Sequence, residues 1–174
     1  MVRIVSDFVL KSRFKKKLKL LTSVPKSNIK EIKSIVILVS GNYEAKEHLF
    51  IDFAKAFKVP TRNITIVIFN KNKIPIKDTS FGQRIDCSKE MIDFWGNFPK
   101  KFNPFFKKEV DLLINYFDDN SILPSYVSVF CKAKLRVGFS STQFALNDLI
   151  LNVNPLDTDL FLSESTKYLK SILK

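Results

Sequence analysis

Ile35-Val36-Ile37-Leu38-Val39, followed without a break by Ser40-Gly41-Asn42, is the stretch that decides the fold. Five aliphatic residues in a row leave no polar face, so a strand made of them must be covered on both sides, as the strands of a parallel sheet are. The turn after it leads into a helix expected from about Tyr43 to Phe57, where Leu49, Phe50, Phe53, Ala54 and Phe57 recur at helical spacing. Val59 and Pro60 close that helix, and Ile64 to Phe69 is a second β-branched strand, followed by a polar, basic turn from Asn70 to Pro75.

The same alternation continues toward the carboxyl end. Ile85 to Cys87 reads as a short strand in a loosely patterned stretch, and Asp111 to Phe117 as a firm one. A helix from Ser121 to Ala133, entered through Pro124, leads to strands Leu135 to Phe139 and Leu149 to Val153. The terminal helix is expected from about Thr158 to Leu173, with Leu160, Phe161, Tyr168, Leu169 and Ile172 available for its buried face. Strands and helices in this order predict an α/β, Rossmann-like fold. Its mainly parallel sheet has about five strands, helices on both faces and right-handed crossovers. The expected central core is Val36, Ile37, Leu38, Ile66, Ile68, Leu113, Ile114 and Val137.

Composition narrows the class. A chain of 174 residues, 45% hydrophobic and 26% charged, is that of a globular domain able to bury roughly 70% of its unfolded surface. Two cysteines, Cys87 and Cys131, with one histidine, His48, build neither a disulfide framework nor a zinc site, which favours a reducing cytoplasm. No apolar run approaches the ~20 residues that span a bilayer, so membrane insertion is not expected.

Charge is the strongest compositional signal: 29 Lys and Arg against 17 Asp and Glu, a net +12. Lysine-rich usage of the kind AT-rich genes produce explains lysine in place of arginine, but not so large an excess over acids. Residues 1–34 hold ten basic and two acidic residues, whereas residues 35–174 hold nineteen and fifteen. The chain therefore divides into a basic amino-terminal helix with its linker, 1–34, and a single α/β domain, 35–174. In the first segment Leu10, Phe14, Leu18 and Leu21 form one apolar stripe, Lys11, Arg13, Lys15, Lys16 and Lys19 fan around the other faces, and Pro25 ends the helix.

Ligands of an open parallel sheet sit beyond the carboxyl ends of its strands. Here those ends carry Ser40, Gly41 and Asn42; Asn70 and Lys71; Asp118, Asp119 and Asn120; Ser140, Ser141 and Thr142; and Asn152 and Asn154. A single glycine followed by Asn42, Tyr43 and Glu44 is not a dinucleotide fingerprint, and no P-loop pattern occurs. Asp118 and Asp119 are candidates for acid/base or magnesium chemistry, but adjacent carboxylates before a helix are also ordinary caps. Asp111 lies at the opposite sheet edge and reads as structural. His48 sits inside a helix, and each cysteine reads as a small buried hydrophobe. No catalytic residue, metal site, cofactor or small-molecule substrate is expected.

The stretch Phe94 to Lys108, FWGNFPKKFNPFFKK, interleaves Phe94, Trp95, Phe98, Phe102, Phe105 and Phe106 with Lys100, Lys101, Lys107 and Lys108. Aromatics beside cations stack on unpaired bases while the cations hold the backbone, whereas aromatics between prolines also anchor a long loop to a core. Either way the lysines are expected to face phosphate. The expected RNA-binding set is Lys11, Arg13, Lys15, Lys16, Lys17, Lys19, Lys26, Lys100, Lys101, Lys107 and Lys108.

The basic amino-terminal helix, DLLINYF at 111–117, KAKLRVGFS at 132–140, LNDLILNVNP at 146–155 and KYLKSIL at 167–173 together resemble an uncharacterised family of short Rossmann-like proteins from Bacteroidetes. The resemblance implies the fold and brings no catalytic residues. That lineage also carries extra ribosomal proteins of its own, which this basic single-domain chain is similar to in character. The expectation is a structured-RNA-binding, ribosome-associated protein whose partners are ribosomal RNA and ribosomal proteins. The alternative is a transferase for a sugar or phosphate compound, with its site at the strand ends. Peripheral binding to an anionic membrane is a third reading, for which the helix lacks a broad apolar face.

Overall fold

The computed structural model describes residues 4–26, 28–40, 46–69, 80–118 and 121–173. The turn at Gly41 and Asn42, the helix start at Tyr43, the basic turn 70–75, and Asp119 and Asn120 lie outside the described residues. Six parallel strands form one sheet: β1 (Ile35–Ser40), β2 (Ile64–Phe69), β3 (Gln83–Cys87), β4 (Glu109–Tyr116), β5 (Lys132–Phe139) and β6 (Leu149–Leu151). Their order is β3-β2-β1-β4-β5-β6. This is the doubly wound Rossmann order, in which the chain leaves β1 first toward one edge and then toward the other. The register is continuous across the centre, with Ile37 between Ile66 and Ile114.

Helices cover both faces. α2 (Glu47–Ala56) and α5 (Thr158–Ile172) pack Phe50, Phe53, Ala54, Phe161, Leu162 and Leu169 over Ile35, Ile37 and Val39 of β1. α1 (Asp7–Ser23), α3 (Asn103–Lys107) and α4 (Ile122–Phe130) belong to the other layer. There Leu10, Phe14, Phe102, Tyr126 and Val127 meet Val36, Leu38 and Leu113. Right-handed crossovers that run in opposite directions from the centre place α2 and α4 on opposite faces, as found. All eight residues expected in the central core are buried.

Four expectations are corrected. The sheet has six strands because Gln83–Cys87 pairs in register with β2, as an edge strand in which only Cys87 is buried, so its sequence carries a weak apolar signal. The helix expected to run to Ala133 stops at Phe130, and β5 already begins at Lys132. The last strand ends at Leu151. In α5 the buried face is Thr158, Phe161, Leu162, Ser165 and Leu169, while Leu160, Tyr168 and Ile172 are exposed. That face passes through hydroxyls that a hydrophobic count overlooks: Ser165 Oγ donates back to the carbonyl of Phe161 at 2.7 Å.

Candidate nucleic-acid interface

α1 begins where Ser6 caps it, its side chain accepting from the Val9 amide at 3.3 Å, and ends before extended Val24 and Pro25. Leu10 and Phe14 are buried, and Leu18 and Leu21 pack at the edge of the same cluster, so the apolar stripe read from the sequence is the docking face. The opposite faces present Lys11, Lys15, Lys16 and Lys19 to solvent. Among the described residues none of these four pairs with a carboxylate.

Three further cations of the amino-terminal segment are tied to the body. Arg13 Nη1 donates to the main-chain carbonyl of Trp95 at 2.7 Å, Lys17 Nζ stands 4.9 Å from the centre of the Phe130 ring, and Lys26 pairs with Asp148. Arg13 is thereby a brace between α1 and residues 93–97, with its stem against Gly96.

The second basic stretch is a compact double turn. A single 3₁₀ turn, Lys100–Phe102, runs directly into α3, where Pro104 occupies the first turn. Phe102 is buried and Phe98, Phe105 and Phe106 pack on the same cluster, while Lys100, Lys101, Lys107 and Lys108 remain exposed, Lys101 Nζ lying 5.8 Å from the Phe102 ring centre. Phe98 is the hub: its ring centre is 4.8 Å from that of Phe106 and 5.3 Å from those of Tyr126 and Phe130. Phe130 carries Lys17 on its outer side and touches Phe106 at 5.7 Å. The aromatic cluster thus joins α1 to α3, and two basic stretches separated by some eighty residues of sequence border one surface.

Charge follows the layers. α1 has six basic residues and one acid, Lys100–Lys108 has four lysines and no acid, and α4 has no charged residue. On the other face α2 and α5 together carry three basic residues and four acids. A field that is strongly positive on one side of a sheet and near neutral on the other attracts polyanions to one surface.

Among the described strand-end candidates, Ser140, Thr142, Asn152 and Asn154 are engaged within the fold. Thr142 belongs to a buried network: Asn147 Nδ2 donates to its hydroxyl at 2.9 Å, Asn115 Nδ2 to Asn147 Oδ1 at 2.7 Å, and Ser128 Oγ to Asn115 Oδ1 at 2.8 Å. Ser140 Oγ donates to Asn152 at 2.9 Å, and Asn154 accepts from the Leu156 amide at 3.0 Å in a local turn. Asp118 is half-buried at the end of β4. Asp111 accepts from the Lys33 amide at 2.9 Å, the Ser34 hydroxyl at 3.3 Å and Lys134 Nζ at 2.7 Å, so it fastens the linker before β1 to the start of β4 and to β5. His48 is exposed on α2.

Both cysteines are free and buried, and burial pushes each thiol up to about 12, the wrong direction for a nucleophile. Among the described residues no cluster of His, Cys, Asp or Glu could hold a metal, and no helix is long and apolar enough to cross a membrane.

The profile of a family of unknown function (DUF6913) matches residues 7–172. No curated protein and no solved structure matches the chain.

Proposed function

We propose that this chain, which belongs to family DUF6913, binds folded RNA through the surface shared by α1 and Lys100–Lys108. One observation carries the reading: on one face of the sheet α1 has six basic residues and one acid and Lys100–Lys108 four lysines and no acid, whereas α2 and α5 on the other face have three basic residues and four acids. Lys11, Lys15, Lys16 and Lys19 from α1 and Lys100, Lys101, Lys107 and Lys108 from the α3 region are the phosphate contacts, with Lys17 beside them on Phe130. Arg13 and Lys26 serve the surface from behind, by fixing α1 and its exit to the body. Lysines of this kind position a backbone without reading bases, so recognition is of RNA shape. In its specific form the proposal is a cytoplasmic, ribosome-associated protein whose partner is ribosomal RNA.

The test is fractionation of cell lysate on sucrose gradients at increasing salt, comparing the wild type with Lys15→Glu, Lys16→Glu and Lys19→Glu combined. The wild type is expected with ribosomal subunits at low salt, and the triple variant is expected to leave them at lower salt. Each lost contact flattens the plot of log affinity against log salt by about 0.7 to 0.9. A variant that stays bound with the same slope overturns the RNA reading. A wild type that binds RNA in isolation but never travels with subunits overturns only the ribosomal form.

A further inference from the structure

We infer that Trp95 is a stacking platform for an unpaired base of the bound RNA, an inference that rests on the phosphate-binding reading of the same face. Of the six aromatics in the Phe94 to Lys108 stretch, four pack on the core and two do not: Phe94 is exposed, and Trp95 is 71% exposed. Their rings meet edge to face at 5.6 Å. A large aromatic left in water forgoes the stabilisation of burial, so its display on a rigid support asks for an occupant.

The support is unusually well built for a surface turn. The Asp93 carboxylate accepts from the amides of Trp95 at 2.9 Å and Asn97 at 2.8 Å, and from the Asn97 side chain at 2.9 Å. Main-chain bonds from Gly96 to Asp93 and from Asp93 to Asn97 close the same turn. Two groups then hold it from below: the Tyr126 hydroxyl donates to the Gly96 carbonyl at 2.5 Å, and Arg13 donates to the Trp95 carbonyl. Gly96 adopts φ +86°, and a Cβ there would come within 2.9 Å of Arg13 Cδ, so both backbone and neighbour require glycine. A platform held this firmly loses little conformational freedom when something lies on it.

Charge identifies the occupant. Arg13 makes Trp95 one hydrogen bond removed from the helix that displays Lys11, Lys15, Lys16 and Lys19. RNA whose phosphates run along α1 comes within reach of the indole, and an exposed indole whose backbone is anchored by Arg13 of that lysine-bearing helix suits a base more than an apolar protein side chain. An RNA that uses this platform has a loop, bulge or single-stranded end at this point.

Trp95 is the chain's only tryptophan, so emission excited beyond the tyrosine absorption band reports on it alone. The full chain is titrated with a single-stranded oligoadenylate of about twelve nucleotides, within the span such grooves accept, and with inorganic polyphosphate as a phosphate-only probe. Oligoadenylate is expected to quench the emission at saturation and polyphosphate to bind without quenching. Trp95→Ala is expected to weaken oligoadenylate binding by about 5- to 150-fold, the range for loss of one stacked base. It should leave polyphosphate affinity and the melting temperature unchanged, and Trp95→Phe should restore most of the loss. Saturation by oligoadenylate without quenching, equal quenching by polyphosphate, or undiminished binding by Trp95→Ala each overturns the platform and leaves the phosphate reading standing. Failure of both polyanions to discriminate wild type from the Lys15, Lys16 and Lys19 reversal overturns the phosphate reading itself.

Discussion

Arg136 Nη2 donates to the main-chain carbonyl of Cys131 at 2.5 Å, reaching back from the middle of β5 to the end of the helix that precedes it. Its Nη1 donates to the Ser128 carbonyl at 3.0 Å and faces the Ser128 hydroxyl at 3.3 Å. The guanidinium is 3% exposed, and burial lowers its pKa from the ordinary arginine value, yet arginine remains protonated in proteins. Its charge is held by carbonyls at the negative end of the α4 dipole.

Arg136→Met should therefore leave the Cys131 carbonyl without its partner, at about 1 to 3 kcal/mol, while the Ser128 carbonyl keeps the Cys131 amide. For a domain of this length the melting temperature should fall by about 2 to 4 °C for each kcal/mol lost. Arg136→Lys should fall between, because one ammonium cannot span both carbonyls with the geometry of a guanidinium. Thermal unfolding followed by circular dichroism checks both, and a melting temperature within a degree of wild type for Arg136→Met contradicts the assignment.

Gly138 is the neighbouring constraint. A Cβ added there would stand 2.4 Å from Asn147 Nδ2, and Asn147 is locked by Asn115 and Thr142. Gly138→Ala should cost about 1 to 3 kcal/mol through overpacking, plus what the displaced amide leaves unsatisfied. Combining it with Asn147→Ala should cost clearly less than the two separate losses added, since the clash disappears with the amide. Strict additivity in a double-mutant cycle by urea unfolding would show that the close approach is harmless.

These two residues also mark where the sequence stops being legible. β1 and β2 match their expected starts because unbroken β-branched runs specify themselves locally. The end of α4 does not: Tyr126 to Phe130 continues apolar into Cys131 with no glycine or proline. What accompanies the break is Arg136, five residues on, and a contact of that kind has no periodicity to detect. The basic interface divides in the same way. Lysines on the outer faces of α1 were readable from spacing alone. That Arg13 points inward to Trp95 depended on the packing of a segment 82 residues distant.

Asp111 gives a pH dependence with a definite sign. Burial alone would raise its pKa, but hydrogen bonds from Lys134, the Lys33 amide and the Ser34 hydroxyl, with the Lys134 charge, bring it below the ordinary carboxylate value. A carboxylate lowered on folding contributes stability above its unfolded pKa, about 3.9, and loses it as pH falls through the folded value. The gap in melting temperature between wild type and Asp111→Asn should be full at pH 6 and shrink progressively below about pH 4. A gap that stays constant down to pH 2.5 would show that the carboxylate's charge contributes nothing.

What α1 packs and what α1 charges are separable by substitution. Deleting residues 1–34 cannot isolate the lysines, because Val5, Leu10, Phe14, Ile29 and Ile32 are buried in the two core clusters and leave with them. Leu10→Ala, at a fully buried position under the sheet, should destabilise by about 2 to 5 kcal/mol. Below its melting temperature it should keep the wild-type salt slope for RNA, since every lysine remains. Lys11→Glu combined with Lys15→Glu should do the reverse. Both side chains are exposed with no carboxylate partner among the described residues, so the melting temperature should stay within a few degrees, while RNA affinity falls and the slope flattens by about 1.4 to 1.8 for two lost contacts. If the charge-reversed protein melts as early as Leu10→Ala, the lysine face is part of the packing. If instead Leu10→Ala loses RNA affinity while still folded, the packing of α1 is what the RNA senses.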